Sequence, residues 1–353
     1  MTWKRFQDDS FRLTEGDVQK HVPYIISQYK QAIKDINKDL AKLYLKLSGA
    51  ASEDYYTEAL KYNRLNDLLK QVTKSYNEYS RKAGQRTVRT GAISAANNYY
   101  RMSYTHQWLV DISFSVLPDT LIEMTVLNTD KAWSRYQKEL KKIYGPGQKY
   151  IPQYGTLSEI LSSNRVKEID QIHRAITQGL IRGESYTKTA RAVKEVIGTT
   201  IKKDGVVQTT GAMANAVRVV RTESNRIMNQ MSTANTEYAR SEGVEVRRVW
   251  NAALDNRTRP VHAALDNKQE NKNGLFESSA GFTPGPGQFS SVGQNVNCRC
   301  TTFESVNGSR PTLRRGRNPV TGENEVFSYK DFDKWAKDND LKQNKFGQYV
   351  PGK

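Results

Sequence analysis

From Tyr24 to Leu47 the apolar positions Ile26, Tyr29, Ile33, Ile36, Leu40, Leu43 and Leu47 recur at alternating spacings of three and four, with Lys, Asp, Asn and Gln between them. That period puts one narrow apolar seam on a long helix. Pro23 suits its first turn, where a missing N–H costs nothing, and Ser48-Gly49 supplies a stop. A second seam runs through Leu65, Leu68, Val72, Tyr76, Tyr79 and Ala83. The short stretch from Gly49 to Asp54 turns the chain back, which predicts an antiparallel helical hairpin. Between Gly91 and Tyr144 helical periodicity continues, broken at Pro118. At that spacing Tyr99, Tyr100, Tyr104, Trp108, Trp133 and Tyr136 read as core, with stacking on nucleic-acid bases as the alternative.

Gly145-Pro146-Gly147 and Pro152-Gln-Tyr-Gly155 mark a boundary. Helical patterns resume at Ser158 to Leu161, Val166 to Ile181 and Tyr186 to Ile197, the last with Ser185 as its N-cap. Asp204-Gly205 between two β-prone runs predicts a hairpin, and a long helix from about Met213 to Ser241 stops at Gly243. Val244 to Trp250 alternates imperfectly and reads as a strand, with Cys300 to Phe303 as its partner. Asn267 to Asn297 is polar, Gly- and Pro-rich, and reads as an irregular binding or disordered loop. After Asn307 come a basic stretch, one amphipathic segment from Tyr329 to Leu341, and an end from Phe346 to Lys353 expected to be mobile. The fold class is mainly α with a C-terminal α+β domain: a long N-terminal helical hairpin or bundle, then helices packed on a small antiparallel sheet. The expected organisation is a helical region over 1–150, an α+β domain over 156–306 and a basic tail over 307–353.

Charge changes the partner list. The 353 residues carry 54 Lys and Arg against 37 Asp and Glu, a formal net charge of +17. Such a field concentrates polyanions, so double-stranded DNA leads; solvated basic helix faces are the alternative. Arg81, Lys82, Arg86 and Arg89, read as a helix junction, and Arg314, Arg315 and Arg317 are the candidates for phosphate contact. No apolar run approaches a signal-peptide core or a bilayer span, so a cytoplasmic start without a membrane stage is expected.

The chain has no Gly-rich phosphate loop, no dinucleotide fingerprint, no His-Glu-x-x-His and no Gly-x-Ser-x-Gly. Its two cysteines, Cys298 and Cys300, stand two apart, and on a strand their sulfurs would lie near one face but their Cα atoms too far apart for an unstrained bridge. With His262 they form a donor set suited to zinc, although three ligands are one short of a closed site, and Asp255, Asp266 or water would have to complete it. A hydrogen-bonded structural cluster without a cofactor is the competing and preferred reading. The long helix carries Arg218, Arg221, Glu223, Asn225, Arg226, Asn229 and Gln230 as a polar stripe. It either holds an anion or partner, or pairs internally with Asp255 or Asp266.

Gln178-Gly-Leu-Ile-Arg-Gly183-Glu-Ser, Arg221-Thr-Glu223-Ser-Asn225-Arg226, Glu242-Gly243, Trp250, Asp255-Asn-Arg257-Thr-Arg259-Pro-Val-His262, Leu265-Asp266 and Asn297-Cys298-Arg299-Cys300 together resemble the phage Mu protein F-like head morphogenesis family. The likeness covers roughly 157 to 303. It implies a minor head protein of a tailed phage, internal to the capsid near the portal, assembled in the host cytoplasm. Portal protein, major capsid or scaffolding protein and DNA are the partners it implies. Many members have Cys-x-x-Cys where this chain has Arg259-Pro-Val-His262, and His-Pro-Asn-Cys-Arg-Cys where it has Asn295-Val-Asn297-Cys298-Arg-Cys300. Some carry a toxin or ADP-ribosyltransferase domain after the module. The stretch beyond Asn307 is too short for one, so the chain is expected not to be an enzyme. The competing reading is a metal-dependent nucleic-acid-processing enzyme using His262, Cys298, Cys300 and an Asp.

Overall fold

The computed structural model describes residues 6–110, 126, 157–203, 206–308 and 310–352. The break at Pro118, Trp133 and Tyr136, the boundary at 145–155, the turn residues Asp204-Gly205 and the side chain of Trp108 lie outside the described residues. The fold is mainly helical and ends in short antiparallel strand pairs, as the patterning predicts. It divides into two compact units, each discontinuous in sequence: 19–89 with 157–220, and 1–18 and 90–156 with 221–353.

In the first unit, helix α1 (Phe6–Leu47), which belongs to it from Gln19 onward, presents Ile25, Tyr29, Ala32, Ile36, Leu40, Leu43 and Leu47 to the interior. The seam therefore runs through Ile25 and Ala32 in place of Ile26 and Ile33, and Pro23 lies inside the helix, not at its start. Helix propensity alone disfavours that position; apolar burial on both sides of Pro23, at Val18 and Ile25, offsets it. After the short helix α2 (Tyr55–Leu60), helix α3 (Arg64–Val110) returns antiparallel: Arg86 lies over the Tyr24 ring at 4.1 Å, and Tyr76 meets Tyr29 edge-on at 6.1 Å. The basic run 81–89 is thus helix interior and not a junction.

Helices α4 (Leu157–Ile181) and α5 (Tyr186–Ile197) pack together at Gly179, with Ser185 capping α5 by accepting from Lys188 N. The β1 (Thr200–Lys203) and β2 (Val206–Thr209) strands then pair antiparallel, as the hairpin reading expects, with Thr200 opposite Thr209. A Cβ on Gly179 would overlap Thr189 Oγ1 and sit 3.0 Å from its Cγ2 and 3.2 Å from its Cβ. Thr189 cannot swing aside freely, because its hydroxyl is 2.7 Å from the Tyr44 hydroxyl. Alanine gains about 1 kcal/mol of helix propensity, but overpacking costs about 1–3 kcal/mol. Gly179→Ala is therefore expected to lower the urea midpoint; a higher midpoint would show that the helices separate at no cost.

In the second unit, helix α6 (Gly211–Ser241) contributes its residues from Arg221 onward and stops at Gly243, whose positive φ of 84° closes the turn while Val244 N bonds back to Ala239 O. Strand β3 (Val246–Asn251) pairs antiparallel with β6 (Thr301–Val306), Trp250 opposite Thr302. Between them lie helix α7 (Pro260–Leu265), the β4 (Phe276–Ser278) and β5 (Gly281–Thr283) hairpin and helix α8 (Val292–Asn295). The loop read as irregular is thus anchored by buried Phe276, Thr283, Phe289 and Asn295. The segment after Asn307 forms β7 (Leu313–Arg317) with β8 (Asn324–Ser328), helix α9 (Phe332–Asp338), and β9 (Leu341–Gln343) with β10 (Tyr349–Pro351). Phe332 and Trp335 of α9 join the core built by Trp250, Leu254, Leu265, Phe276 and Phe289, because these large apolar side chains find no other cover on so short a helix.

Candidate functional site

The site begins with two short local structures. Pro260 opens α7, fixing the backbone that carries His262 one turn in. Asn297, at φ 53°, turns the chain into the short segment before β6 that carries Cys298 and Cys300, both directed at His262, while Asn225 and Asn229 of α6 donate to the Cys300 carbonyl at 3.4 and 3.3 Å. His262 Nδ1 lies 3.6 Å from Cys298 Sγ and 3.5 Å from Cys300 Sγ, and the three donor atoms lie within 4.8 Å of one another. All three residues are buried. Phe289 stacks on the imidazole at 5.2 Å, and Trp250 meets it edge-on at 5.6 Å. Cys298, accepting a hydrogen bond from Cys300, is held below the usual thiol range; Cys300, which donates it in full burial, is pushed well above. The arrangement brings two thiols and one imidazole together in a buried cluster.

The carboxylates expected beside this cluster are engaged elsewhere. Asp255 receives Arg299 at 2.9 Å and lies 3.6 Å from Arg257, and the Asp266 carboxylate holds Arg314 through both oxygens at 2.6 and 2.7 Å. Neither joins the His262 cluster, so the fourth-ligand role proposed for them from sequence is corrected. Arg259 donates to Val296 O at 2.7 Å, tying α7 to the approach of β6, and Asn297 N bonds Thr222 Oγ1 of α6 at 3.0 Å. Glu223 pairs within α6 to buried Arg226, whereas Arg218 and Arg221 are exposed, so the internal pairing expected with Asp255 or Asp266 runs through other partners.

Of the basic candidates, Arg81, Arg89 and Arg317 are exposed, Arg86 and Arg315 are half-buried, and Lys82 pairs with Glu78 at 2.7 Å. Arg314 is buried in its pair with Asp266 and is not part of a basic surface. Sequence reasoning missed Arg248, Glu270 and the buried pair His106–Glu304, 2.6 Å apart. Burial opposes a charge on that imidazole, but the Glu304 carboxylate outweighs it and raises the His106 pKa. Isolated charged residues in a strand, a loop and a helix gave no signal that they meet.

A compact α+β module with a buried His/Cys cluster is the class that this unit defines, and residues 170–303 match the family model described as Phage Mu protein F like protein. The minor head protein GP7 of Bacillus phage SPP1 is 28% identical over 337 residues, 92% of this chain and 96% of that protein. A protein of Enterococcus faecalis named NAD(+)--arginine ADP-ribosyltransferase EFV is 26% identical over 341 residues, 96% of this chain; the chain spans 61% of that relative's length. An uncharacterized protein of Haemophilus influenzae is 23% identical over 168 residues, 47% of this chain and 31% of its own. No solved structure matches.

The Enterococcus match corrects one expectation. Nearly the whole chain aligns with a protein named as an enzyme, so the shortness of the segment after Asn307 does not establish that catalysis is absent. Among the described residues, no helix is long and apolar enough to cross a membrane.

Proposed function

We propose that this chain is a minor head protein of a phage that sits at the portal inside the capsid and assists head assembly and DNA packaging or delivery. The observation that carries the reading is the end-to-end match to a minor head protein, 92% of one chain against 96% of the other. The net charge of +17 suits an environment of packaged DNA. Exposed Arg81 and Arg89, two helical turns apart on α3, with Arg317 on the β7–β8 hairpin, would meet phosphates without reading sequence. The apolar seam of α1 is not the docking surface, since its residues are buried within the chain itself. Contact with the portal, or with the major capsid or scaffolding protein, therefore falls to other surfaces.

Co-sedimentation of the purified chain with the portal oligomer of the same phage, with and without duplex DNA across a salt series, tests this. Portal binding is expected at physiological salt. DNA binding should weaken steeply with salt, and Arg81→Gln with Arg89→Gln should reduce the logarithmic salt slope by about 2, since each phosphate contact contributes roughly 0.9. Absence of portal binding at every salt concentration would sink the portal assignment, and an unchanged slope would remove Arg81 and Arg89 from the DNA contact.

A further inference from the structure

We infer that His262, Cys298 and Cys300 form a binding site for one thiophilic d¹⁰ metal ion, with zinc the expected occupant. Three observations carry this. The first is distance. Bonds of about 2.3 Å to sulfur and about 2.0–2.1 Å to imidazole nitrogen, at a tetrahedral angle, put those two donors about 3.5 Å apart. The two Nδ1 to Sγ separations are 3.5 and 3.6 Å, so both edges already have the length that a shared ion requires. The second is satisfaction. Both sulfurs converge on the same nitrogen, whose one lone pair can accept from only one thiol, so the other thiol proton is left with its neighbour's sulfur, a weak acceptor. Replacing the two thiol protons by one dication satisfies all three donors together. The third is charge. Two thiolates and a neutral imidazole around a divalent ion sum to zero, which suits residues with at most 4% of their surface exposed.

The donor set narrows the ion. Two thiolates and an imidazole select zinc over magnesium, calcium or manganese, which prefer oxygen. Three protein ligands leave one position for water, since Asp255 and Asp266 are committed to arginines. The ion would join α7 to the start of β6, two segments separated by the loop of residues 267–297. Phe289 and Trp250 press the imidazole from two sides, so its nitrogen is aimed before the ion arrives. The proposal stands on these atoms alone and is independent of the head-protein reading.

The test uses the full chain, expressed in zinc-containing medium and dialysed against metal-free buffer. Mass spectrometry of the metals is expected to find about one zinc per chain. Replacement by Co²⁺ should give the intense near-ultraviolet sulfur-to-cobalt charge-transfer band, and a strong chelator should lower the melting temperature of the wild-type chain. Cys298→Ser and His262→Gln should each abolish the band and the chelator sensitivity. A wild-type chain that is folded by circular dichroism, retains less than about a tenth of an equivalent of metal and shows no cobalt band would overturn the site. Because that outcome is read on the wild-type chain, a variant that fails to fold does not leave the question open. A cobalt band that persists in both variants would equally overturn it, by placing the ion elsewhere.

Discussion

Asp266→Ala is expected to destabilise the unit containing β3 and α9 by about 3–5 kcal/mol, the cost of leaving one member of a buried ion pair without its partner. Asp266 ends α7 and accepts from four donor atoms of three groups. It takes both guanidinium nitrogens of Arg314 from β7, the backbone N–H of Ala252 after β3 at 2.7 Å, and the backbone N–H of Phe332 at the start of α9 at 2.8 Å. Both charged side chains are almost fully buried, 2% exposed for Arg314 and 3% for Asp266. Removing the carboxylate strands a buried guanidinium that keeps only the carbonyls of Ala252 and Lys330. It also leaves two amide donors without their acceptor, each worth about 1–3 kcal/mol when buried. Chemical denaturation of the full chain measures the effect. The double variant Asp266→Ala with Arg314→Met should recover part of the loss, because the stranded charge goes with it. A loss below about 1 kcal/mol for the single variant would mean that water replaces the carboxylate and that the pair is not closed.

Arg314 also shows where reading a sequence stops. As one of several arginines in a basic stretch it reads as a phosphate contact, and only a carboxylate 48 positions away turns it into a core residue. Charge counting sees the guanidinium and not its partner. What the sequence disclosed locally was the Ser185 cap and the Gly243 stop, which depend on backbone conformation that a few neighbouring residues dictate. The pairing of β3 with β6 and the meeting of His262 with Cys298 and Cys300 are long-range and were legible only through residue type, β-prone runs in one case and rare metal-ligand side chains in the other. The start of α1 was misplaced for the converse reason: a proline is a local signal for a beginning, and it was overridden by burial at Val18 and Ile25 that no window around Pro23 reveals. Residues 267–297 looked structureless because their anchors, Phe276 and Phe289, stand singly among polar residues. Isolated aromatics have no period, yet each fills a place beside Trp250.

The imperfect alternation of β3 has its own explanation, and the second large effect follows from it. Arg248 breaks the pattern because it points inward, and there it uses every donor that a guanidinium has. Nε and Nη2 bond Glu270, Nη2 also bonds Gly274 O, and Nη1 bonds Thr233 Oγ1 and Pro284 O, all between 2.6 and 2.8 Å. Glu270 in turn accepts the Arg248 backbone N–H at 2.7 Å. One side chain therefore holds the loop of residues 267–297 at three points and ties it to α6. Arg248→Met keeps the apolar stem but removes all five bonds. It is expected to cost about 3–5 kcal/mol, and less than a full charge-stranding variant if Arg240, which also pairs with Glu270, keeps that carboxylate satisfied. The loop should respond before the rest of the unit. Limited proteolysis under native conditions should cut between residues 272 and 290 in Arg248→Met and leave the wild-type chain intact there, since opening needs only the loss of these contacts. Arg240→Met, whose side chain is 27% exposed and whose other bonds go to Glu237 and the Val246 carbonyl, outside the loop, should change cleavage little. Equal protection of the loop in both variants would mean that Phe276 and Phe289 alone hold it down, and that the buried guanidinium serves the strand and not the loop.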